Sequence, residues 1–244
     1  MATDYSYIGS GKIYLRDRSG TLGLIEVGNC SKLDFAVSED VKELKDYTQP
    51  GGGTQNEVRR ISSVESSMTI HDISASNLAR ALYGAASAVA SAVITDEAHA
   101  DVDPGDFVPT TFLASLISTV KVGATTLSAV TDYEVRNGGV YILPTGTVVS
   151  GDDILITYTK AVTDVVEALV NSGKEYELVF AGLNEARSGK KTRVTAHRVK
   201  IGALQNLSLI GEDYAALEVT GKLLKDTTKN GTTVSQYFKA EIEA

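Results

Sequence analysis

Apolar and polar residues alternate with a period of two along much of this chain, a pattern typical of half-buried β-strands. Toward the two ends of the sequence the alternation covers residues 12–16, 22–27, 32–37, 64–70, 175–180, 192–201, 217–223 and 234–242. At least three of the N-terminal stretches should pair antiparallel. Short strands joined by glycine turns therefore dominate the expected fold.

One segment has a helical period instead. Leu78 and Leu82 fall on one helical face, Ser74 or Ser76 can cap the start, and Gly84 fits the C′ position after the last turn. This helix should pack its leucine face against the sheet. We expect a mainly β protein, an antiparallel β-sandwich or barrel with one flanking α-helix.

A change in composition marks a second region in the middle of the chain. The formal net charge is −8, and residues 91–160, with 3 basic and 9 acidic residues, account for −6 of it. The flanking regions carry mixed charge. We therefore expect residues 1–95 and 161–244 to form one discontinuous domain, interrupted by a β-rich insert at 96–160.

The insert has strand-like runs of its own, at 118–122, 132–135, 140–143 and 154–159. Asn137, Gly138 and Gly139 stand between two of them, and Asn-Gly pairs tolerate the positive φ that tight hairpin turns need. The pattern predicts a small Ig-like or hairpin module.

Charge and composition exclude several classes of function. A surface that binds nucleic acid generally needs an excess of Lys and Arg, which this chain lacks. Cys30 is the single cysteine and there are three histidines, too few for a disulfide scaffold or a usual zinc site. The start lacks the pattern of a signal peptide, so we expect a cytoplasmic origin, and the apolar run at 85–94 is too short to cross a membrane.

Motifs that carry catalysis are missing from the sequence: no Walker loop, Rossmann fingerprint, HExxH or GxSxG occurs. The acidic stretch 97–106 (EAHADVDPGD) resembles a calcium loop, but Gly105 and Phe112 occupy positions where an EF-hand needs oxygen ligands. We interpret it as a linker into the insert and leave metal binding there open. No enzyme activity, catalytic residue, metal ligand or cofactor is expected.

Two basic features admit two interpretations. Arg59 and Arg60 follow the glycine stretch DYTQPGGGTQNE, and the segment RSGKKTR forms a second basic turn containing Arg187, Lys190, Lys191 and Arg193. Each is either a solvated turn or a surface that pairs with acidic groups of a neighbouring copy.

The order of these features resembles the major tail tube proteins of long, non-contractile-tailed bacteriophages. The resemblance rests on an N-terminal strand that ends in a glycine turn (YIGSGKIYLRDRSG), a strand GNCSKLDF that enters a long polar loop, a return strand ending in the short helix, and an exterior insert. It extends over nearly the whole chain.

The resemblance implies a structural virion protein without catalysis or cofactor. Its fold would be related to that of contractile-tail and type VI secretion tube proteins. Hexameric rings would stack into a tube that delivers DNA, assembled in the host bacterial cytoplasm and located in the virion tail. Partners would be other copies of the chain and the tape measure, tail terminator and distal tail proteins, with DNA only in passage and no membrane. About 24 strands spaced ~4.8 Å and tilted ~40° would enclose a barrel roughly 48 Å across, wide enough for a duplex.

The same resemblance gives roles to particular residues. The loop 41–57 would reach the adjacent ring, and carboxylates facing the lumen would repel DNA phosphate. The expected inter-ring contacts are Lys45, Asp46, Gln49, Gly51, Gly52, Gly53, Arg59 and Arg60, and the possible lumen-facing residues are Asp34, Glu39 and Glu65.

A binding module remains the alternative. In that interpretation the protein is an Ig-like surface adhesin, and the acidic insert recognises a glycan or a host protein.

Overall fold

The computed structural model describes residues 5–48 and 50–244. The chain is mainly β, with 55% of residues in strands and 4% helical, and its sheets are antiparallel. This confirms the predicted class, a β-sandwich with a flanking helix. No helix in the described part of the chain combines the length and the apolar character needed to span a bilayer.

The described residues form seventeen strands, one α-helix and one 3-10 turn. In chain order they are β1 (Gly9–Asp17), β2 (Ile25–Glu26), β3 (Cys30–Lys45), β4 (Thr54–Ile70), α1 (Ala75–Ala81), β5 (Ala85–Val89), β6 (Ala92–Val102), β7 (Phe107–Pro109), β8 (Ala114–Val122), β9 (Thr125–Thr126), β10 (Tyr133–Arg136), β11 (Gly139–Ile142), β12 (Asp152–Lys160), β13 (Thr163–Glu167), β14 (Glu175–Asn184), the 3-10 turn (Glu185–Arg187), β15 (Lys190–Ile201), β16 (Leu217–Leu223) and β17 (Phe238–Ile242).

Two compact units share this chain. The first unit runs up to Ala85 and resumes at Val166–Ala244, and the second is Ala86–Val165. The second unit therefore begins ten residues before the expected insert and ends five residues after it. The paired strands β5 and β13 carry the chain across both boundaries.

The first unit is built on a branched sheet whose order is β2-β1-β14-β15-β16-β4-β3, with β17 also paired to β15. Along one edge of β15, Thr192–Ala196 pair with β17 and Val199–Ile201 pair with β16. The sheet divides there into two layers. Layer A holds β2, β1, β14, β17 and the first half of β15, and layer B holds the second half of β15 with β16, β4 and β3.

The two layers enclose one hydrophobic core. The Phe35 ring of β3 stacks on the Phe238 ring of β17 with centroids 5.4 Å apart, so the ends of the two branches face each other. Burial of alternate apolar residues from both layers holds the sandwich together. Its buried members are Ile13, Leu15, Val27, Val64, Met68, Ile70, Ala81, Tyr176, Leu178, Ala196, Val199, Ile201, Leu217, Val219 and Leu223.

The helix α1 begins where its sequence predicts. The Ser74 hydroxyl accepts a hydrogen bond from the Asn77 N–H, which satisfies one of the free donors of the first turn. The end differs from the prediction, because Tyr83 and not Gly84 adopts the left-handed conformation, with φ of +51°. A Cβ on Gly84 would lie 2.5 Å from the Glu167 carbonyl oxygen, so close approach of the backbone is what this glycine permits.

Two segments expected to be irregular are strands. The loop expected at 41–57 is the paired continuation of β3 and β4, which extends to Lys45 opposite Thr54. The linker expected at 97–106 belongs in part to β6, which pairs with β12. Neither segment shows a regular alternation of apolar and polar residues. In the first segment the residues are exposed on both faces, and in the second the ladder contains shifts in register.

The second unit contains a three-stranded sheet, β10-β11-β7, and a four-stranded sheet, β6-β12-β8-β9. The predicted hairpin is present, since Arg136 pairs with Gly139 and Gly138 supplies a φ of +88° in the turn between them. A separate core fills this unit, with Tyr158, Ile142, Ile154, Ile156, Val120 and Val140 fully enclosed.

Candidate functional site

The most prominent surface feature of the first unit is the distal part of the β3–β4 hairpin, residues 37–63, which we call the arm. Val64 is buried, but none of the described residues between 36 and 63 is. The antiparallel ladder continues nonetheless as a two-stranded ribbon with both faces in solvent. Isolated two-stranded ribbons are only marginally stable in water, so this arrangement favours a partner that covers at least one face.

A bulge orients the two faces of the arm. The register shifts between Ser38 and Glu39, which leaves Ser62 as the extra residue on β4. One face, which continues the core side of layer B, exposes Val37, Val41 and Ile61. On the other face, which continues the outer side of layer B, the exposed apolar residues are Leu44 and Val58.

Charges on the arm are only partly paired within the chain. The Arg59 guanidinium forms ion pairs with Glu57 and, at 3.4 Å, with Glu39. Arg60, its neighbour on the opposite face, has no carboxylate within 4.0 Å among the described residues. The structure therefore accounts for Arg59 inside its own chain and leaves Arg60 free for another contact.

The turn of the arm holds most of the other residues expected at an inter-ring contact. Asp46 accepts hydrogen bonds from the Thr48 N–H and hydroxyl, which lower the pKa of its carboxyl, and its own N–H donates to the Gly53 carbonyl at 2.8 Å. Gly51 has a φ of +83°, which glycine adopts without strain. Lys45 and Gly52 lie at this end of the arm, whereas Arg59 and Arg60 lie farther along the ladder, opposite Val41 and Asp40. Gln49 lies outside the described residues.

Only two of the three possible lumen-facing residues share a face. Asp34 and Glu65 both point away from the core, on the outer side of layer B, whereas Glu39 follows the core-side alternation of β3. Across β3, β4 and β16 the rest of this outer side combines small residues, among them Ser67 and Thr220 in the row of Asp34, with longer charged side chains. The sheet face is hydrophilic.

The charges on that face cancel. Its exposed acidic residues are Asp34, Glu65 and Glu218, and its exposed basic residues are Lys32, Lys200 and Lys222. Two of the pairs are in contact, Lys32 with Asp34 at 3.0 Å and Lys222 with Glu65 at 3.8 Å. The outer face of layer B is thus neutral.

The basic turn at 187–193 is paired within its own chain. The Arg193 guanidinium binds Glu241 at 2.6 Å, and the Lys191 N–H donates to the Glu243 carboxylate at 2.8 Å. The Lys190 ammonium donates to the Ala244 carbonyl, and Arg187 lies over the Tyr5 ring. The C-terminal strand therefore offsets this turn electrostatically.

A second exposed apolar feature, which the sequence did not indicate, lies between β15 and β16. We call residues 205–216 the tip loop. Leu209, Ile210 and Tyr214 are 84%, 98% and 98% exposed, far more than apolar side chains of this size usually are. No periodicity marks the segment, and the signal that could have found it is the largely apolar run LSLI, which is followed by Gly211 and two acidic residues.

The tip loop encloses a hollow of about 620 Å³. Glu212 and Asp213 from the loop and Glu218 from β16 line it, and no Lys or Arg does. Among the described residues, none of the three carboxylates has a cation within 4.0 Å. The hollow is therefore acidic with an apolar rim.

Two groups that catalysis could use, Cys30 and Glu97, have surroundings that shift their pKa values. Burial raises the pKa of the Cys30 thiol to about 11, with Asp72 adding to the effect, so the reactive thiolate is disfavoured. Glu97 accepts hydrogen bonds from the Tyr158 hydroxyl at 2.6 Å and the Thr111 N–H at 2.9 Å. Burial would raise the pKa of Glu97, but these hydrogen bonds lower it overall. No group of three or more His, Cys, Asp or Glu among the described residues is placed to hold a metal ion.

Comparison with known proteins gives a family match over most of the chain. A family model described as "Protein of unknown function UCP028589" matches residues 6–241, which include both units. Among curated proteins no match is found.

Proposed function

Because the chain belongs to the UCP028589 family over residues 6–241, we propose a function for it from its own surfaces: a structural subunit that polymerises as stacked rings into a phage tail tube. The subunit has no catalytic role in this proposal. The tail tube resemblance supplies the other parts of the proposal. These are rings of six copies, a passage for DNA, and contacts with tape measure, terminator and distal tail proteins.

The arm is the observation that carries the proposal. It extends the β3–β4 ladder beyond the core and exposes six large apolar side chains, which a second copy would cover. Burial of apolar surface contributes about 25 cal/mol per Å², so covering the arm in each of many copies would stabilise a polymer.

Open strand edges support the same proposal. Among the described residues, β3 pairs only with β4 and β17 only with β15, so each presents an unpaired row of backbone groups. Soluble proteins generally protect such edges. Pairing between neighbouring copies would satisfy these groups and close a ring.

The neutral outer face of layer B is suited to line the channel. A net positive face would retain DNA through its phosphates, while a hydrophilic face with balanced charge offers no such net attraction. Asp34 and Glu65 would then act together with Lys32 and Lys222 to keep the wall neutral.

Negative-stain imaging and sedimentation of the concentrated protein test the proposal. The wild-type chain should form rings or tubes, and a variant lacking residues 49–55 should form neither tubes nor stacked rings while keeping its β-sheet circular dichroism. Lys12→Ala, which alters an exposed residue on β1 of layer A, serves as the control. A wild-type protein that stays monomeric at high concentration, alone and with other tail components, would refute the proposal and favour a binding module.

A further inference from the structure

The arm and the tip loop lie at opposite ends of layer B. Along β4, the arm begins beyond Val64, while Ile70 at the other end pairs with Leu217, the residue that directly follows the tip loop. These two exposed apolar features of the first unit are therefore separated along the strand direction of one sheet layer. A contact between unlike ends of this kind is heterologous, and it repeats along one direction when successive copies do not rotate back into a closed ring.

The two features also lie on the same side of that layer. The hollow of the tip loop is lined by Glu218 and Thr220, both of which point to the outer side of layer B. The extra residue Ser62 reverses the alternation of β4, so Arg60 and Val58 lie on this outer side as well. A copy displaced along the strands would bring the outer face of its arm toward the tip loop of the next.

Their chemistry is complementary. The outer face of the arm combines apolar Leu44 and Val58 with basic Lys42 and Arg60. Its one carboxylate, Asp40, pairs with Lys42 at 3.7 Å, which leaves Arg60 without an ionic partner among the described residues. The tip loop combines three apolar side chains with Glu212 and Asp213, and Glu218 of β16 adds a third carboxylate to its hollow. None of the three has an ionic partner in the part of the chain that the structure describes.

We propose that the tip loop of one copy receives the outer face of the arm of a second copy, with Arg60 entering the acidic hollow and Val58 and Leu44 packing on Leu209, Ile210 and Tyr214. The inference rests on the proposed function and specifies its longitudinal joint. An arginine is well suited to this position because its planar guanidinium can donate to two carboxylates at once.

Charge reversal in the full-length chain tests this contact. Arg60→Glu alone, and Glu212→Lys with Asp213→Lys, should each raise the concentration needed for sedimentation by about tenfold or more, because like charges then face each other. Combining the three substitutions should restore most of the assembly. Arg136→Glu, in the second unit, is the matched control and should leave assembly unchanged. Equal melting temperatures for all variants would show that the fold is kept.

Cysteine cross-linking gives a second, independent measurement. In a Cys30→Ala background, chains carrying both Val58→Cys and Ile210→Cys should form a ladder of disulfide-linked oligomers on oxidation, and chains carrying either substitution alone should stop at dimers or monomers. Tubes that form without a ladder and without rescue by the combined reversal would overturn the inference and leave the proposed function standing. A wild-type chain that never assembles would overturn both.

Discussion

Gly11 and Gly182 lie directly opposite each other in the ladder between β1 and β14. A Cβ on Gly11 would lie 2.4 Å from the Gly182 Cα and 2.5 Å from the Ala181 carbonyl oxygen. The two strands can keep their register here only because neither residue has a side chain.

Gly11→Ala should therefore destabilise the first unit. The methyl group meets backbone atoms that cannot rotate away, and overpacking of this kind costs about 1–3 kcal/mol. Urea unfolding followed by circular dichroism measures the loss. Gly23→Ala is the control, because a Cβ there would have no atom within 4 Å; an equal loss in both variants would contradict the explanation.

Ser74→Ala should weaken helix α1 by about 0.5–2 kcal/mol, the usual cost of losing an N-cap. The Ser74 hydroxyl accepts a hydrogen bond from the Asn77 N–H, and Asn77 in turn donates its side-chain amide to the Val27 carbonyl at 2.6 Å. The exposed Ser76 provides the matched control, since Ser76→Ala removes a hydroxyl without a capping role. Thermal melting of the two variants distinguishes them.

The free energy of unfolding should decrease as the pH is lowered, because of His197. This side chain is buried, and burial lowers its pKa below the ordinary value of 6.5, with Lys229 adding to the effect. The folded state therefore binds fewer protons than the unfolded state once the pH falls below about 6.5, and unfolding becomes easier from there down to the folded pKa. His197→Gln should reduce this slope when melting temperatures are compared between pH 8 and pH 5. A slope unchanged by the substitution would rule out His197 as its source.

Tyr158→Phe should destabilise the second unit by about 1–3 kcal/mol, because it removes a hydrogen bond to a charged group inside a packed site. Tyr158 is fully enclosed and donates to the Glu97 carboxylate at 2.6 Å. Tyr141→Phe is the control, since the Tyr141 ring lies under the Arg136 guanidinium and its contact does not depend on the hydroxyl. Denaturant unfolding should show a larger loss for Tyr158→Phe.

The neutral outer face of layer B gives a prediction about DNA. Assembled wild-type protein should not retain duplex DNA, whereas Asp34→Asn with Glu65→Gln should retain it in a salt-dependent way, because two unpaired cations per copy then face the phosphates. Filter binding at 50 and 200 mM NaCl measures the difference. Glu134→Gln with Asp164→Asn changes the net charge equally in the second unit and should leave retention at the wild-type level.

The sequence allowed prediction of those elements that bury one face. The strands around Ile13, Leu178 and Val219 and the capped helix at Ser74 were all anticipated, because burial imposes a period on the residues that face the core. The Asn137-Gly138 hairpin was anticipated from the backbone preference of its turn.

The candidate assembly surfaces were anticipated only in part. Arg59 and Arg60 were both expected at a contact with a neighbour, but strand alternation places them on opposite faces and only Arg60 is free of ion pairs among the described residues. The arm was expected to be a loop, since strands exposed on both faces need no alternation. Exposure of Ile210 and Tyr214 depends on where β15 and β16 end, which a pattern of residues does not encode.

The division of β15 between the two layers has a mechanical consequence. Its first half belongs to layer A and its second half to layer B, and the change occurs at His197 and Arg198. Sliding one layer over the other would require this continuous backbone to stretch or to break its ladder on one side. A load applied along the strands to the arm would thus pass through covalent bonds and sheet hydrogen bonds into both layers, and the sandwich would respond to tension as one body.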